Sequence, residues 1–140
     1  LLADNIAFKS AINDMGQLVD EIPDYWVGVE SRGFLFASAL AHQFGGGIRI
    51  IRKKGKLPNR KLFSVKYGLE YGSDELEMAY IAPHDSGTCV IVDDVLATGG
   101  TIDAAEGLCK LHGLEVKDKV CFMDIGIYNG YDIKSVVQYG

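Results

Sequence analysis

The sequence predicts an α/β fold in which a mostly parallel, twisted sheet carries helices on both faces. Three observations lead to this prediction. Short apolar runs alternate along the chain with longer segments of helical periodicity. The apolar runs are nearly continuous, which is typical of strands buried on both faces of a sheet. One antiparallel excursion, over residues 62–80, interrupts the alternation.

The first helix is expected over residues 4–22, because apolar residues recur there at helical spacing. Asp4 or Asn5 can cap its beginning, and Pro23 ends it. A short apolar run then predicts a strand over residues 26–30.

A second helix is predicted from residue 31 to about residue 44, where three consecutive glycines end it. Residues 48–52 form the next strand, and a basic loop follows it. Between residues 62 and 80 apolar residues alternate with polar ones on either side of a turn, which predicts a long, mobile antiparallel loop.

The last third of the chain returns to the alternation of strand and helix. An apolar strand over residues 89–95 leads to a helix over 101–112, and strands are expected over 120–127 and 135–139. In such sheets, ligands bind at the carboxyl ends of the strands.

The length of 140 residues predicts a single domain over residues 1–140. The three cysteines form no CxxC pair and lie in apolar runs, so we expect reduced core residues: Cys89, Cys109 and Cys121. No apolar run approaches the ~20 residues of a membrane span, and no signal peptide opens the chain. We therefore expect a cytoplasmic protein with no membrane partner.

Positive charge is concentrated in one part of an otherwise acidic chain of net charge −5. Seven of the 14 basic residues fall between positions 49 and 61: Arg49, Arg52, Lys53, Lys54, Lys56, Arg60 and Lys61. The acidic balance argues against a general nucleic-acid binder, whereas the cluster suggests a small, strongly anionic ligand. A solvated charged loop is the alternative interpretation.

The most informative segment follows the strand over residues 89–95. Its end carries Asp93 and Asp94, and a short loop with two glycines leads into the next helix. Glycines let several backbone N–H groups point at one centre, and the helix N-terminus adds further donors. This predicts a monophosphate site formed by Ala97, Thr98, Gly99, Gly100 and Thr101. Two adjacent carboxylates suit the vicinal hydroxyls of a ribose, whereas helix capping would need only one.

The run over residues 93–101 resembles the phosphoribosyl-pyrophosphate signature of the type I phosphoribosyltransferases. It lacks the spacing of a Walker loop or of a GxGxxG motif. The resemblance implies the type I phosphoribosyltransferase fold. It also implies that Asp93 and Asp94 bind the ribose hydroxyls, and that the residues from Ala97 to Thr101 bind the 5′-phosphate.

Three further stretches resemble the adenine phosphoribosyltransferases. Residues 27–36 are similar to that family's pyrophosphate loop, residues 52–58 to its basic loop, and residues 67–72 to its catalytic flexible loop. The resemblance implies a cis peptide between Glu30 and Ser31. It implies pyrophosphate contacts by Ser31, Arg32, Arg52 and Lys56, and catalytic roles for Glu70 and Tyr71.

The reaction implied by the resemblance is transfer of the phosphoribosyl group from phosphoribosyl pyrophosphate to adenine, giving AMP and pyrophosphate in purine salvage. Mg²⁺ would be bound mainly through the substrate, with no dedicated protein ligands. The resemblance further implies a homodimer and an apolar contact of Ile125 with the purine. A segment that precedes Leu1 in the family and contacts adenine has no counterpart here, so we expect a chain that is incomplete at its N-terminus.

Two alternatives remain open at this point. A phosphoribosyltransferase for hypoxanthine, guanine, xanthine or orotate would share the motif at Asp93 and Asp94. A regulator that only senses phosphoribosyl pyrophosphate would share it as well. The scattered histidines His42, His84 and His112 are expected at the surface or at helix ends.

Overall fold

The computed structural model describes residues 2–53, 62–69, 72–79, 86–96, 100–125 and 133–138. Three helices and seven strands lie in these ranges. In chain order they are α1 (Asn5–Gly16), β1 (Tyr25–Val29), α2 (Arg32–Phe44), β2 (Gly47–Lys53), β3 (Leu62–Leu69), β4 (Gly72–Ala79), β5 (Gly87–Leu96), α3 (Gly100–Leu111), β6 (Leu114–Asp124) and β7 (Lys134–Gln138).

The seven strands form one sheet in the order β3-β4-β2-β1-β5-β6-β7. Strands β2, β1, β5, β6 and β7 pair in parallel, whereas β4 pairs antiparallel with both β2 and β3. The predicted excursion is therefore an antiparallel pair that extends one edge of the sheet. The prediction of a mostly parallel sheet is confirmed.

The helices cover both faces of the sheet, as expected. Trp26 and Val90 pack in one apolar cluster with side chains of α1 and α2. Val27 and Ile91, their neighbours along the same strands, pack in a second cluster with α3. This division follows from the alternation of side chains along a strand. Trp26 is fully buried, and its indole Nε1 donates a hydrogen bond of 2.8 Å to the carbonyl of Gly45.

The first helix is shorter than predicted. It begins after Asp4, whose carboxylate accepts hydrogen bonds from the amides of Ile6 and Ala7, but it ends at Gly16. Gly16 lies against Phe44, at the end of α2, so closely that a Cβ atom there would overlap the ring. The apolar residues after Gly16 extended the helical pattern in the sequence, yet Ile22 is 48% exposed and lies outside the helix.

The sixth strand begins six residues earlier than the predicted position 120. Its first half pairs with β5 from Leu114 onward, with a register shift between Cys89 and Val90. The first residues of this strand alternate between more buried and more exposed positions, and several carry charged side chains. The segment therefore lacks the continuous apolar run that predicted the other strands. The same strand ends at Asp124, three residues before the predicted position 127. The boundaries of the other strands and helices, apart from the end of α1, lie within two residues of the prediction.

Arg49 does not belong to the exposed basic cluster in which the sequence analysis counted it. Its side chain is buried in β2, and the residue is only 4% exposed. The guanidinium donates a hydrogen bond of 2.8 Å to the carbonyl of Ala79 and lies over the ring of Tyr25. Arg49 therefore links the last residue of β4 to the buried side of β2 and β1. The basic residues at positions 54–61 lie outside the described residues.

No helix among the described residues is long and apolar enough to span a membrane. All three cysteines are buried and none is in a disulfide, as predicted for reduced core residues. The pKa of the Cys109 thiol is raised, mainly by a hydrogen bond with Cys89 and next by burial. A thiol with a raised pKa is a weak nucleophile, which fits a role in the core.

Candidate active site at the carboxyl ends of the strands

The two adjacent carboxylates lie near the end of β5, between α2 and α3. Asp93 Oδ1 accepts a hydrogen bond of 2.8 Å from the backbone amide of Asp94. Burial, the Asp94 side chain and its charge together raise the pKa of Asp93 to about 8, against a partial lowering by the backbone hydrogen bond and by Arg32. Hydroxyl donors or a cation close to this buried group would stabilise its ionised form.

Arg32 reaches these carboxylates from the first residue of α2. Its Nε lies 2.7 Å from Asp94 Oδ2, and its side chain remains 68% exposed. The peptide bond between Glu30 and Ser31, just before this helix, is cis, as the resemblance implied. The β1–α2 connection thus brings a guanidinium beside the carboxylates at the end of the neighbouring strand.

A polar cavity of about 370 Å³ lies at this edge of the sheet. Its lining includes five residues that the sequence analysis had assigned to the site, namely Ser31, Arg32, Asp93, Asp94 and Thr101. Thr101 stands in the first turn of α3, which begins at Gly100. The unpaired amides of that turn make the end of the helix suited to an anion.

Two charged residues that were not predicted as site residues, Glu30 and Lys53, line the same cavity. Lys53 was counted in the basic cluster but given no role, because a run of basic residues does not reveal which of them faces a site. Its backbone amide donates a hydrogen bond of 2.8 Å to Glu30 Oε1. Val29 and Leu76 complete the lining.

Arg52 is not among the residues that line this cavity. Its Nε lies 3.5 Å from Glu30 Oε1, and its guanidinium lies over the ring of Phe34 at 5.6 Å from the centroid. It is therefore near the site rather than in its wall. Six other predicted site residues lie outside the described residues: Lys56, Glu70, Tyr71, Ala97, Thr98 and Gly99.

A second cavity, of about 430 Å³, adjoins the first and shares Arg32 and Asp94 with it. Its other lining residues are apolar: Leu2, Phe36, Val95, Phe122 and Met123. Phe36 and Phe122 stack at 6.2 Å between ring centroids. Ile125, the predicted base contact, is half-buried just after β6 and is not part of this lining.

Gly33, the second residue of α2, brings this helix into close contact with β5. A Cβ atom at Gly33 would lie 2.9 Å from the carbonyl oxygen of Val92 and 3.4 Å from Asp93 Oδ1. Substitution Gly33→Ala is therefore expected to destabilise the protein by roughly 1–3 kcal/mol through overpacking, although alanine favours a helix by about 1 kcal/mol over glycine. Urea unfolding would measure the change.

Ser38→Ala, at an exposed position of the same helix, is the matched control and should change the free energy of unfolding by less than about 0.5 kcal/mol. A Gly33→Ala variant as stable as the wild type would contradict the close approach of α2 to β5.

The histidines lie apart from this cavity where they are described. His42 is exposed in the last turn of α2, as predicted. His112 follows α3, as predicted for a helix end, but it is only 3% exposed, and its Nε2 lies 3.2 Å from the carbonyl oxygen of Met78. His84 lies outside the described residues.

Comparison with known proteins agrees with this geometry. The family profile described as "Phosphoribosyl transferase domain" matches residues 2–136. An adenine phosphoribosyltransferase from Hydrogenovibrio crunogenus is 46% identical over 121 residues, which cover 83% of this chain and 68% of that protein. The chain belongs to the adenine phosphoribosyltransferase family.

Solved structures of the same family share the fold. The adenine phosphoribosyltransferase of Thermoanaerobacter pseudethanolicus is 37% identical, with a TM-score of 0.90 that covers 99% of this chain and 84% of that one. The enzyme of Saccharomyces cerevisiae, solved with an imino-altritol bisphosphate and adenine, is 32% identical, with a TM-score of 0.86 over 96% and 80% of the two chains. The expected type I phosphoribosyltransferase fold is confirmed.

Proposed function

We propose that this protein transfers the 5-phosphoribosyl group from phosphoribosyl pyrophosphate to adenine, giving AMP and pyrophosphate, as its family membership indicates. The observation that carries the proposal is the meeting of Arg32, Asp93, Asp94 and Thr101 in one polar cavity that adjoins an apolar one. A sugar phosphate suits the first cavity and a flat purine the second.

The ribose 5-phosphate is assigned to the end of β5 and the start of α3. Asp93 and Asp94 would accept hydrogen bonds from the vicinal hydroxyls of the sugar, and such bonds are stronger to an ionised carboxylate. The phosphate is assigned to Ala97, Thr98, Gly99, Gly100 and Thr101. The described start of α3, with Thr101 in the cavity wall, supports this assignment.

The leaving pyrophosphate is assigned to Ser31, Arg32, Arg52 and Lys56, and we add Lys53 because it lines the polar cavity. The reacting C1′ is expected to carry positive charge in the transition state, as in other glycosyl transfers. Cations around the leaving group would then stabilise the negative charge that develops on it.

Mg²⁺ fits the donors of this site. Among the described residues no three His, Cys, Asp or Glu side chains are grouped to bind a metal. Asp93 and Asp94 together with the oxygens of a diphosphate would offer the hard ligands that Mg²⁺ prefers. When bound, the ion would neutralise charge on the leaving group, with the substrate supplying most of its ligands.

The base is assigned to the apolar cavity beside Asp94, where Val95 and Phe122 offer surfaces for a purine ring. The imino-altritol bisphosphate and adenine bound to the yeast relative support a base site next to a sugar-phosphate site. Ile125 remains a candidate contact, close in sequence to the end of β6. Glu70 and Tyr71 are assigned to proton transfer and to closing the site.

Two further parts of the proposal concern the setting of the reaction. A homodimer is proposed because the basic loop of this family reaches a neighbouring subunit. A cytoplasmic location is supported by three buried cysteines that form no disulfide, which suits a reducing compartment.

Turnover of different bases tests the function directly. With phosphoribosyl pyrophosphate and Mg²⁺, we expect kcat/KM for adenine to exceed that for hypoxanthine or guanine by at least about 100-fold, as its family membership indicates, because a base whose polar groups are not matched leaves buried groups unpaired. AMP and pyrophosphate would be followed by chromatography. Faster use of hypoxanthine would contradict the choice of base, and binding without turnover would favour a sensor.

A further inference from the structure

The carboxylate of Glu30 is held at the junction of two loops that flank the polar cavity. Glu30 directly follows β1, and its backbone amide donates a hydrogen bond of 2.9 Å to the carbonyl of Ile51 in β2. Its side chain is only 8% exposed. One oxygen, Oε1, accepts a hydrogen bond of 2.8 Å from the amide of Lys53 and lies 3.5 Å from Nε of Arg52.

Glu30 therefore contacts β2 at three consecutive residues, where the strand leads into the basic loop. The contact to Arg52 has a second side, because the guanidinium also lies over the ring of Phe34. An arginine side chain 34% exposed would otherwise sample many rotamers, and a carboxylate on one side with an aromatic ring on the other restricts them.

The carboxylate of Glu30 is unexpected in the wall of a cavity proposed to bind a diphosphate, because like charges repel. Glu30 lines the same cavity as Arg32 and Lys53. If its charge acted only by Coulomb repulsion, it would weaken the binding of an anion, and its removal would strengthen that binding. If it holds the cations in place, its removal would weaken binding instead. The two roles predict changes of opposite sign.

We propose that Glu30 is a positioning residue for the pyrophosphate side of the site. It fixes the end of β2 through the Lys53 amide and holds the Arg52 guanidinium beside the polar cavity. This inference rests on the proposed function, which supplies the anionic ligand. Glu30 itself touches no reacting atom; it acts through Arg52 and Lys53.

The variant Glu30→Gln isolates the charge. Glutamine keeps an oxygen that can accept from the Lys53 amide, but it loses the ion pair with Arg52. We expect the KM for phosphoribosyl pyrophosphate and the Kd for pyrophosphate alone each to rise about tenfold, as for the loss of one charge-assisted contact. The KM for adenine should stay within about twofold of the wild type, because the base side of the site is untouched.

Glu106→Gln is the matched control. Glu106 lies on α3, and its Oε1 is 3.3 Å from Nζ of Lys119 in β6. Glu106 is not among the residues that line the polar cavity. This variant also loses one ion-paired carboxylate, yet it should leave every kinetic constant unchanged. Thermal unfolding of both variants would show whether either has lost its fold.

A double-mutant cycle with Arg52→Gln tests whether Glu30 acts through Arg52. If it does, the double variant should bind pyrophosphate about as weakly as Arg52→Gln alone, so that the two effects do not add. Full additivity would overturn that route. A Glu30→Gln variant with unchanged or tighter binding of pyrophosphate would overturn the positioning role itself.

The experiment separates this inference from the proposed function. Pyrophosphate binding to the wild type and to Glu30→Gln can be measured by calorimetry whether or not AMP is formed. Absence of AMP formation by the wild type would contradict the function alone, whereas equal pyrophosphate affinities in the two proteins would contradict the positioning role alone.

Discussion

Replacing Asp93 and Asp94 together with asparagine is expected to weaken the binding of phosphoribosyl pyrophosphate by roughly 3 kcal/mol or more, a factor of at least about 100 in Kd. Both side chains line the polar cavity, where the hydroxyls of the sugar would lose carboxylate acceptors. Calorimetric titration would give the affinity. Near-normal binding by the double variant would contradict the ribose assignment.

The single variant Asp93→Asn is expected to be more stable than the wild type at high pH. The pKa of Asp93 is raised to about 8, so the folded protein keeps a proton on this group at pH values at which the unfolded chain, with a pKa near 3.8, has lost it. The contribution of Asp93 to stability therefore falls as pH rises from about 4 to about 8. Asparagine cannot ionise and removes that loss.

Thermal unfolding at two pH values would measure this effect. At pH 5 the variant and the wild type should unfold at similar temperatures. At pH 8.5 we expect the variant to be more stable by on the order of 1–3 kcal/mol. A gain in stability at the expense of binding is typical of a strained functional group. A variant that is less stable at pH 8.5 would contradict the raised pKa.

Glu70→Ala is expected to lower kcat by about 10²–10³-fold while it changes substrate affinities only modestly, as for the loss of a general acid or base. Glu70 follows the last residue of β3, and Leu69 pairs with Gly72 of β4 in the antiparallel ladder. Rapid-quench measurement of a single turnover would separate the chemical step from product release.

Glu75→Ala provides the control for that variant, since Glu75 lies in the same hairpin, opposite Lys66. It should retain the wild-type kcat. If Glu70→Ala lost affinity for adenine without loss of the single-turnover rate, Glu70 would serve binding rather than proton transfer.

Most of the fold could be predicted from the sequence because most of the parallel strands are nearly continuous apolar runs. The residues around Trp26 and Val90 could scarcely form anything but strands buried on both faces. The first half of β6 was missed, since its charged residues at positions 115 and 117–119 interrupt the apolar pattern. Helix α1 was drawn too long because apolar spacing carries no information about Gly16 and its contact with Phe44.

Part of the candidate site also followed from the sequence. Arg32 and Asp94 each lie where a predicted strand ends, and they are close together because the carboxyl ends of parallel strands share one edge of the sheet. The role of Glu30 could not be predicted, because it depends on where the side chain of one strand end meets the backbone of the next. Arg49 was counted with the exposed charges because a count of charges ignores the alternation of faces along β2.

The ion pair between Arg32 and Asp94 has a consequence for how the proposed ligands compete for the site. Arg32 Nε and Asp94 Oδ2 lie 2.7 Å apart, so each side chain compensates the charge of the other. A ligand with only a sugar, or only a diphosphate, would take one partner and leave the other charge uncompensated. A ligand that carries both groups replaces the pair in a single exchange, so the intact donor is favoured over either of its fragments.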